Sequence, residues 1–137
     1  MVKVKMQLGE LSAKLEALKA VSAIRMPMAA SYKVSRIIKA MIEEAKTFEE
    51  QRRKLLDRYG LKDKDGELVL AKSEVQFANE ENKKAFKKEF SELAEIEVEV
   101  KALAIKMSDF GSAEVSPNDL LLLDGFLKED SEESDEN

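Results

Sequence analysis

One long amphipathic helix is the strongest feature of the hydrophobic pattern. Its mainly apolar stripe repeats at alternating steps of four and three residues, with Arg52 as the one charged member, and comprises Val34, Ile38, Met41, Ala45, Phe48, Arg52, Leu55 and Tyr59. This heptad spacing places the stripe on one helical face. Pro27 precedes the segment and Gly60 follows it, and these residue types favour a helix start and a left-handed helix end. The pattern therefore predicts an uninterrupted helix over residues 28–59, roughly 48 Å long.

The stripe of this helix needs cover. Leucines at positions 8, 11, 15 and 18 predict a first helix from Glu10 to Ile24 that packs along the first half of the long helix as a hairpin. The far half either stays within this hairpin or pairs with another chain as a coiled coil. Arg52 suits a closed core poorly, although its stem can lie on apolar surface while its head reaches water.

Alternating apolar and polar residues predict two longer strands. The first is Val2 to Gln7, and the second runs from Ile96 to Met107 with a bulge near Ala102, where the alternation changes phase. We expect the two strands to meet in one small sheet.

The remaining segments predict shorter elements. Residues 62–67 form an Asp-Gly turn flanked by short strands at 68–70 and 75–77. Asn79 caps a third helix, whose inward face is Phe86, Phe90 and Leu93. Ser116 and Pro117 begin a short apolar helix that continues to Leu127.

Together these elements predict an α+β fold dominated by helices, with a long helical hairpin, a small antiparallel or mixed sheet and a short C-terminal helix. We predict one domain over residues 1–127 and a disordered acidic tail over 128–137. The tail has one basic and six acidic residues. It serves either as a solubilising segment or as an acidic arm for a basic partner or for residues 25–39 of its own chain.

Composition excludes several kinds of chemistry. The chain has no His and no Cys, so imidazole bases, thiol nucleophiles, disulfides and Cys-based metal sites are absent. Its five glycines never cluster into a phosphate-binding loop. We therefore predict no catalytic, cofactor or metal site and no enzymatic activity. We also expect no signal peptide and no membrane span, and hence a cytoplasmic protein.

Charge is unevenly distributed along the chain. Residues 1–42 hold eight basic and two acidic side chains, whereas the remainder holds 15 basic and 26 acidic ones. A basic patch at 25–39 and an apolar C-terminal helix are the candidate partner-binding surfaces. Arg52, in the stripe of the long helix, is a further candidate. The candidate residues are Arg25, Lys33, Arg36, Lys39, Arg52, Leu121, Leu122 and Phe126.

The layout resembles the small helical proteins of unknown function encoded by tailed phages and prophages. The resemblance spans roughly residues 3–127 and rests on the Lys-Val-Lys strand, the leucine helix, Ser-Tyr-Lys-Val-Ser-Arg at 31–36, Leu-Asp-Arg-Tyr-Gly at 56–60, Asp-Lys-Asp-Gly at 63–66, Phe-Lys-Lys-Glu-Phe at 86–90 and Ser-Pro-Asn-Asp-Leu at 116–120. It implies a phage or prophage origin, a non-enzymatic role and action inside a bacterial cell. It carries over no functional residues.

These observations favour a small binding protein that contacts a protein partner, from the host or the phage, or a second copy of itself. Two alternatives stay open. One is an inhibitor whose acidic surface occupies the nucleic-acid groove of a host enzyme, and the other is a nucleic-acid-binding regulator that uses residues 25–39. Nucleic acid is the less favoured partner because the chain is acidic overall and lacks interleaved exposed aromatic residues.

Overall fold

The computed structural model describes residues 1–129. It shows an α+β fold dominated by helices, as the sequence predicts. Helices α1 to α4 span Leu11–Ser22, Met28–Tyr59, Glu80–Ala94 and Pro117–Leu122. Strands β1 to β6 span Val2–Gln7, Leu70–Ala71, Glu74–Val75, Glu97–Ala102, Ile105–Lys106 and Leu127–Lys128. Two 3-10 turns span Leu8–Glu10 and Met107–Phe110.

Helix α2 is a single uninterrupted rod of 32 residues, which confirms the prediction for 28–59. Helix α1 packs along its first half. The apolar face differs slightly from the predicted stripe, because Ile37 is fully buried and Ile38 only partly so. The fully covered positions of α2 are Ala30, Val34, Ile37, Met41 and Leu56.

Strands β1 and β4 form the antiparallel sheet that their alternation predicts. Val2 lies opposite Ala102, and the apolar pairs continue inward along the two strands. This inward face packs on α2 together with α1 and the C-terminal segment. The sheet therefore closes the core at the first half of the long helix.

The far half of α2 is covered within the same chain by α3. The rings of Phe48 and Phe90 lie 5.8 Å apart, and Phe86 stacks on Phe90 at 5.7 Å. Asn79 caps α3 as predicted, since its side chain accepts a hydrogen bond from the Asn82 amide at 2.8 Å. No residue of α3 is fully buried, so this end of the molecule has a thinner core.

The predicted strand over 96–107 is two strands in different sheets. Strand β4 pairs with β1, whereas β5 pairs in parallel with β6. The change of phase near Ala102 thus marks the chain leaving one sheet for another, and the predicted bulge is wrong.

The C-terminal segment also differs from its prediction. Ser116 caps α4 as expected, but the helix ends at Leu122 and Leu127 belongs to β6. A turn between them returns the chain to the core, and this turn buries Phe126. The predicted acidic tail begins at Lys128, which belongs to β6, and its residues 130–137 lie outside the described residues.

Gly60 ends α2 in extended rather than left-handed backbone, with φ −70° and ψ 148°. A Cβ here would lie 2.6 Å from the backbone oxygen of Leu56, so the position needs glycine for close approach. The 62–67 turn forms as predicted, with Gly66 at φ +80°. The nearby hairpin of β2 and β3, however, turns at Lys72 and Ser73.

No helix within residues 1–129 combines the length and the apolar composition that crossing a bilayer requires.

Gly125→Ala should destabilise the fold more than Gly66→Ala. Both glycines have positive φ, which costs a residue with a Cβ about 1–2 kcal/mol. A Cβ at Gly125 would also lie 2.8 Å from Val4 Cγ2, whereas nothing lies within 4 Å at Gly66. Urea unfolding should show that the Gly125→Ala variant loses about 1–3 kcal/mol more of the free energy of unfolding than the Gly66→Ala variant does. Equal losses would show that the turn does not press against β1.

Candidate functional site

A cleft between α2 and the end of β4 brings three positively charged side chains together beside apolar surface. We call it the basic cleft and define it by Tyr32, Arg36, Lys39, Lys101 and Leu103. Small side chains, including Ala40 and Ala102, lie between these residues. The cleft thus combines cationic groups with apolar surface.

The periodicity of α2 aligns one side of the cleft. Tyr32, Arg36 and Lys39 are spaced by four and three residues, so they share one flank of the helix, beside the buried face. The register of β1 and β4 places the other side, because it fixes the end of β4 at Ala102, opposite Val2. Tyr32 is 54% exposed and Leu103 38% exposed, so both can contact a ligand.

The described lining of the basic cleft has a net positive charge. Within residues 1–129, none of Arg36, Lys39 and Lys101 has an ion-pair or hydrogen-bond partner. The one acidic residue in the lining is Glu43. Lys3 lies opposite Lys101 in the sheet and extends the positive surface along its outer side.

Lys33, predicted as part of the same patch, has an internal role instead. Its Nζ donates a hydrogen bond to Asp109 Oδ2 at 2.7 Å, and both side chains are mostly buried. The same oxygen accepts from the backbone amide of Lys106 at 2.8 Å. Burial raises the pKa of the Asp109 carboxyl, but the Lys33 and Lys106 hydrogen bonds outweigh it and hold the pKa below its ordinary value. The pair therefore ties the Met107–Phe110 turn to α2.

Two other predicted basic residues lie away from the cleft. Arg25 is exposed in the connection between α1 and α2 and borders a shallow pocket with Glu114. Arg52 faces a cleft between α2, the β2–β3 hairpin and α3. Its guanidinium donates two hydrogen bonds to Glu49, at 2.9 and 2.7 Å, and lowers the pKa of that carboxyl. The structure thus brings together only Arg36 and Lys39 of the predicted basic set.

The three apolar residues predicted to form a partner-binding surface do not lie on one surface. Leu121 is 72% exposed, whereas Leu122 is half-buried against the core. Phe126 is 2% exposed, so it is a core residue and does not form a surface contact in this fold. The turn after α4 explains this outcome, since it directs the ring inward rather than continuing the helix.

Tyr32, Lys101 and Leu103 are the cleft residues absent from the predicted set, and Lys101 is the charged one among them. Its charge contributes to the cleft only because β4 ends beside α2, and this follows from the register of β1 and β4. The alternation of β4 could have placed Lys101 on the outer side of the sheet, but not beside Arg36.

In residues 1–129, no three acidic side chains are grouped closely enough to hold a metal ion. No protein family model, curated protein or solved structure matches the chain.

Asp109→Asn should lower the free energy of unfolding near neutral pH. The difference in this free energy between the variant and the wild type should become smaller in acid. A carboxyl whose pKa is lowered by folding stabilises the protein above its unfolded pKa, near 3.8, and this contribution is lost as pH falls through the folded pKa. Urea unfolding at pH 6 should show a loss of about 1–3 kcal/mol. The gap between variant and wild type should shrink as pH falls below about 4.

Glu16→Gln is the control, because Glu16 forms only an exposed pair with Lys19. It should change stability little at any pH. A gap for Asp109→Asn that stays constant in acid would contradict the assigned role of the Lys33 pair.

Proposed function

We propose that this protein is a non-enzymatic binding protein that holds an acidic segment of a partner protein in the basic cleft. The observation that carries the proposal is the arrangement, around exposed apolar surface, of three cations that have no ion-pair partner among residues 1–129. Arg36, Lys39 and Lys101 supply the charge, and Tyr32 and Leu103 supply the apolar contact.

Magnitudes favour a segment with both acidic and apolar side chains. Exposed ion pairs contribute only about 0.2–1 kcal/mol each, so three of them give weak binding. Such charges mainly accelerate association and orient the ligand. Buried aromatic and apolar contacts provide most of the affinity at interfaces, and here they come from Tyr32 and Leu103.

A protein ligand is favoured over nucleic acid. Nucleic-acid binding depends on neutralising many phosphates along a track of basic residues. The cleft has three cations with Glu43 beside them, and the chain as a whole has a net charge of −5. The exposed ring of Tyr32 could stack on a base, so an oligonucleotide is included in the test.

The resemblance to small phage and prophage proteins supports a setting for this activity. In the proposal, the protein acts inside a bacterial cell as an assembly or regulatory adaptor, and its partner is a host or phage protein. A second copy of the chain is an alternative partner. The host-enzyme inhibitor stays a prediction, because its acidic arm lies mainly outside the described residues.

Arg36→Glu with Lys39→Glu should weaken the capture of an acidic ligand. The probes are a fluorescein-labelled peptide of alternating Glu and Leu residues and an oligothymidine of similar length, measured by fluorescence anisotropy at low and high salt. The double variant should bind the peptide at least about tenfold more weakly than the wild type. Lys84→Glu with Lys88→Glu, an equal charge change at exposed sites on α3, should leave peptide binding nearly unchanged.

The outcomes separate the candidate functions. Equal weakening in both double variants would show that net charge alone governs binding and would overturn the cleft assignment. Tighter binding of the oligonucleotide, with steep salt dependence, would replace the protein ligand with nucleic acid.

A further inference from the structure

We propose that the outer edge of β1, the side away from β4, is a second docking surface. An extended segment of a partner protein adds there as a third strand, and its side chains alternate between acidic and apolar. This proposal goes beyond the proposed function, because it uses the backbone of β1 rather than the basic cleft, and either surface can bind without the other.

The register of the sheet directs backbone groups of β1 away from β4. The amide of Leu8 donates a hydrogen bond to the carbonyl of Ile96 at 2.9 Å, and these two residues continue the β1–β4 register. In an antiparallel pair, hydrogen-bonded positions alternate with positions whose N–H and C=O groups point outward. Lys3 and Lys5 occupy the outward positions. Their backbone groups therefore line the outer edge, where they have no hydrogen-bond partner within residues 1–129.

The apolar face of the sheet is covered less well at the start of β1 than on the facing part of β4. Val100 is 1% exposed and Ala102 2% exposed, whereas Val4 and Val2, which lie opposite them, are only half-buried. Met6, farther along β1, is buried. A two-stranded sheet has little surface of its own and gains stability from further strands. A third strand along the first half of β1 would cover the two valines.

The outer face of the sheet determines the charge of the partner segment. Lys3 and Lys5 are exposed, and neither forms an ion pair within residues 1–129. They lie opposite Lys101 and Glu99 of β4, so positive charge is in excess around them. Opposite charges on neighbouring strands stabilise a sheet and like charges destabilise it. A strand with acidic residues opposite both lysines therefore fits this edge.

Backbone groups distinguish this edge from the other basic surfaces of the described chain. Lys84 and Lys88 are also exposed, but they lie on α3, where the amides are bonded within the helix. The outer side of β4 carries Glu97 and Glu99, which would repel an acidic strand. Only β1, among the two long strands, combines outward backbone groups with a basic row of side chains.

A separate segment fits the edge better than a second copy of the chain does. Two copies of β1 would place lysine beside lysine. The β4 strand of a second copy has suitable acidic side chains, but α2 packs on β4, so the whole fold would have to approach the edge. A partner segment requires room for one strand alone.

The pairing assigns different roles to the two kinds of side chain in the segment. Main-chain hydrogen bonds provide affinity in strand addition, and alternate side chains provide specificity. In the antiparallel arrangement, which is the commoner one, the residue opposite Lys3 lies on the same face and exchanges hydrogen bonds with it. The acidic residues therefore bond to β1 through their own backbone, and the apolar residues point their backbone groups away.

Two methylated forms of the Glu-Leu peptide test this arrangement on the full chain. N-methylation of every Glu amide removes the donors to β1 and should weaken binding to the edge at least about tenfold. N-methylation of every Leu amide, the matched control, should leave this binding nearly unchanged. Equal binding of the two forms at the edge would overturn the inference.

Hydrogen exchange measured by NMR reports on the edge separately from the cleft. The unmethylated peptide should slow exchange of the Lys3 and Lys5 amides several-fold and leave the Lys84 and Lys88 amides unchanged. This protection should be lost in Lys3→Glu with Lys5→Glu. It should persist in the double variant of the cleft, with Glu at positions 36 and 39.

The outcomes separate the two surfaces. Peptide binding without protection of the Lys3 and Lys5 amides would overturn the third strand and leave the basic cleft as the one binding surface. Protection without binding at the cleft would support the third strand and contradict the proposed function. Protection of the same amides that rises with protein concentration in the absence of peptide would assign the edge to a second copy and overturn the partner segment.

Discussion

Burial of one face of α2 is the constraint on which the rest of the structure depends. Helix α1, the β1–β4 sheet and α3 all pack against this helix, and each covers a part of its apolar face. Val34, Ile37 and Met41 are almost wholly enclosed as a result. The flank beside this face stays in solvent, and it carries Tyr32, Arg36 and Lys39 into the basic cleft. The same helix therefore organises the core and presents the candidate site.

The two ends of α2 are covered unequally, and this bears on function. The first half meets α1, the sheet and the C-terminal turn, and most fully buried residues lie there. In the far half only Leu56 is buried, and the aromatic cluster of Phe48, Phe86 and Phe90 is partly exposed. Local opening costs least where apolar contacts are few. The basic cleft is thus built on the more rigid end, which suits a preformed binding surface.

The sequence predicted what depends on local periodicity and missed what depends on distant contacts. The bounds of α2 followed from a long regular stripe with Pro27 before it and Gly60 after it. Residues 105–106 were correctly predicted as strand, but their separate sheet could not be recognised, because the partner strand β6 begins at Leu127, which was predicted as the end of a helix. Lys33 and Lys39 look equivalent in sequence, yet Asp109, 76 residues away, engages only Lys33. Burial of Phe126 similarly follows from a turn with no period.

Continuity of α2 is the central claim, and an intramolecular distance tests it most directly. Spin labels at Ala29→Cys and Asp57→Cys would stand at exposed positions near the two ends of the helix in an otherwise cysteine-free chain. Double electron–electron resonance spectroscopy should give one narrow distribution of distances between the labels, centred near the axial separation of about 42 Å. A broad distribution, or one centred far below this value, would show that the rod is broken and would contradict the account.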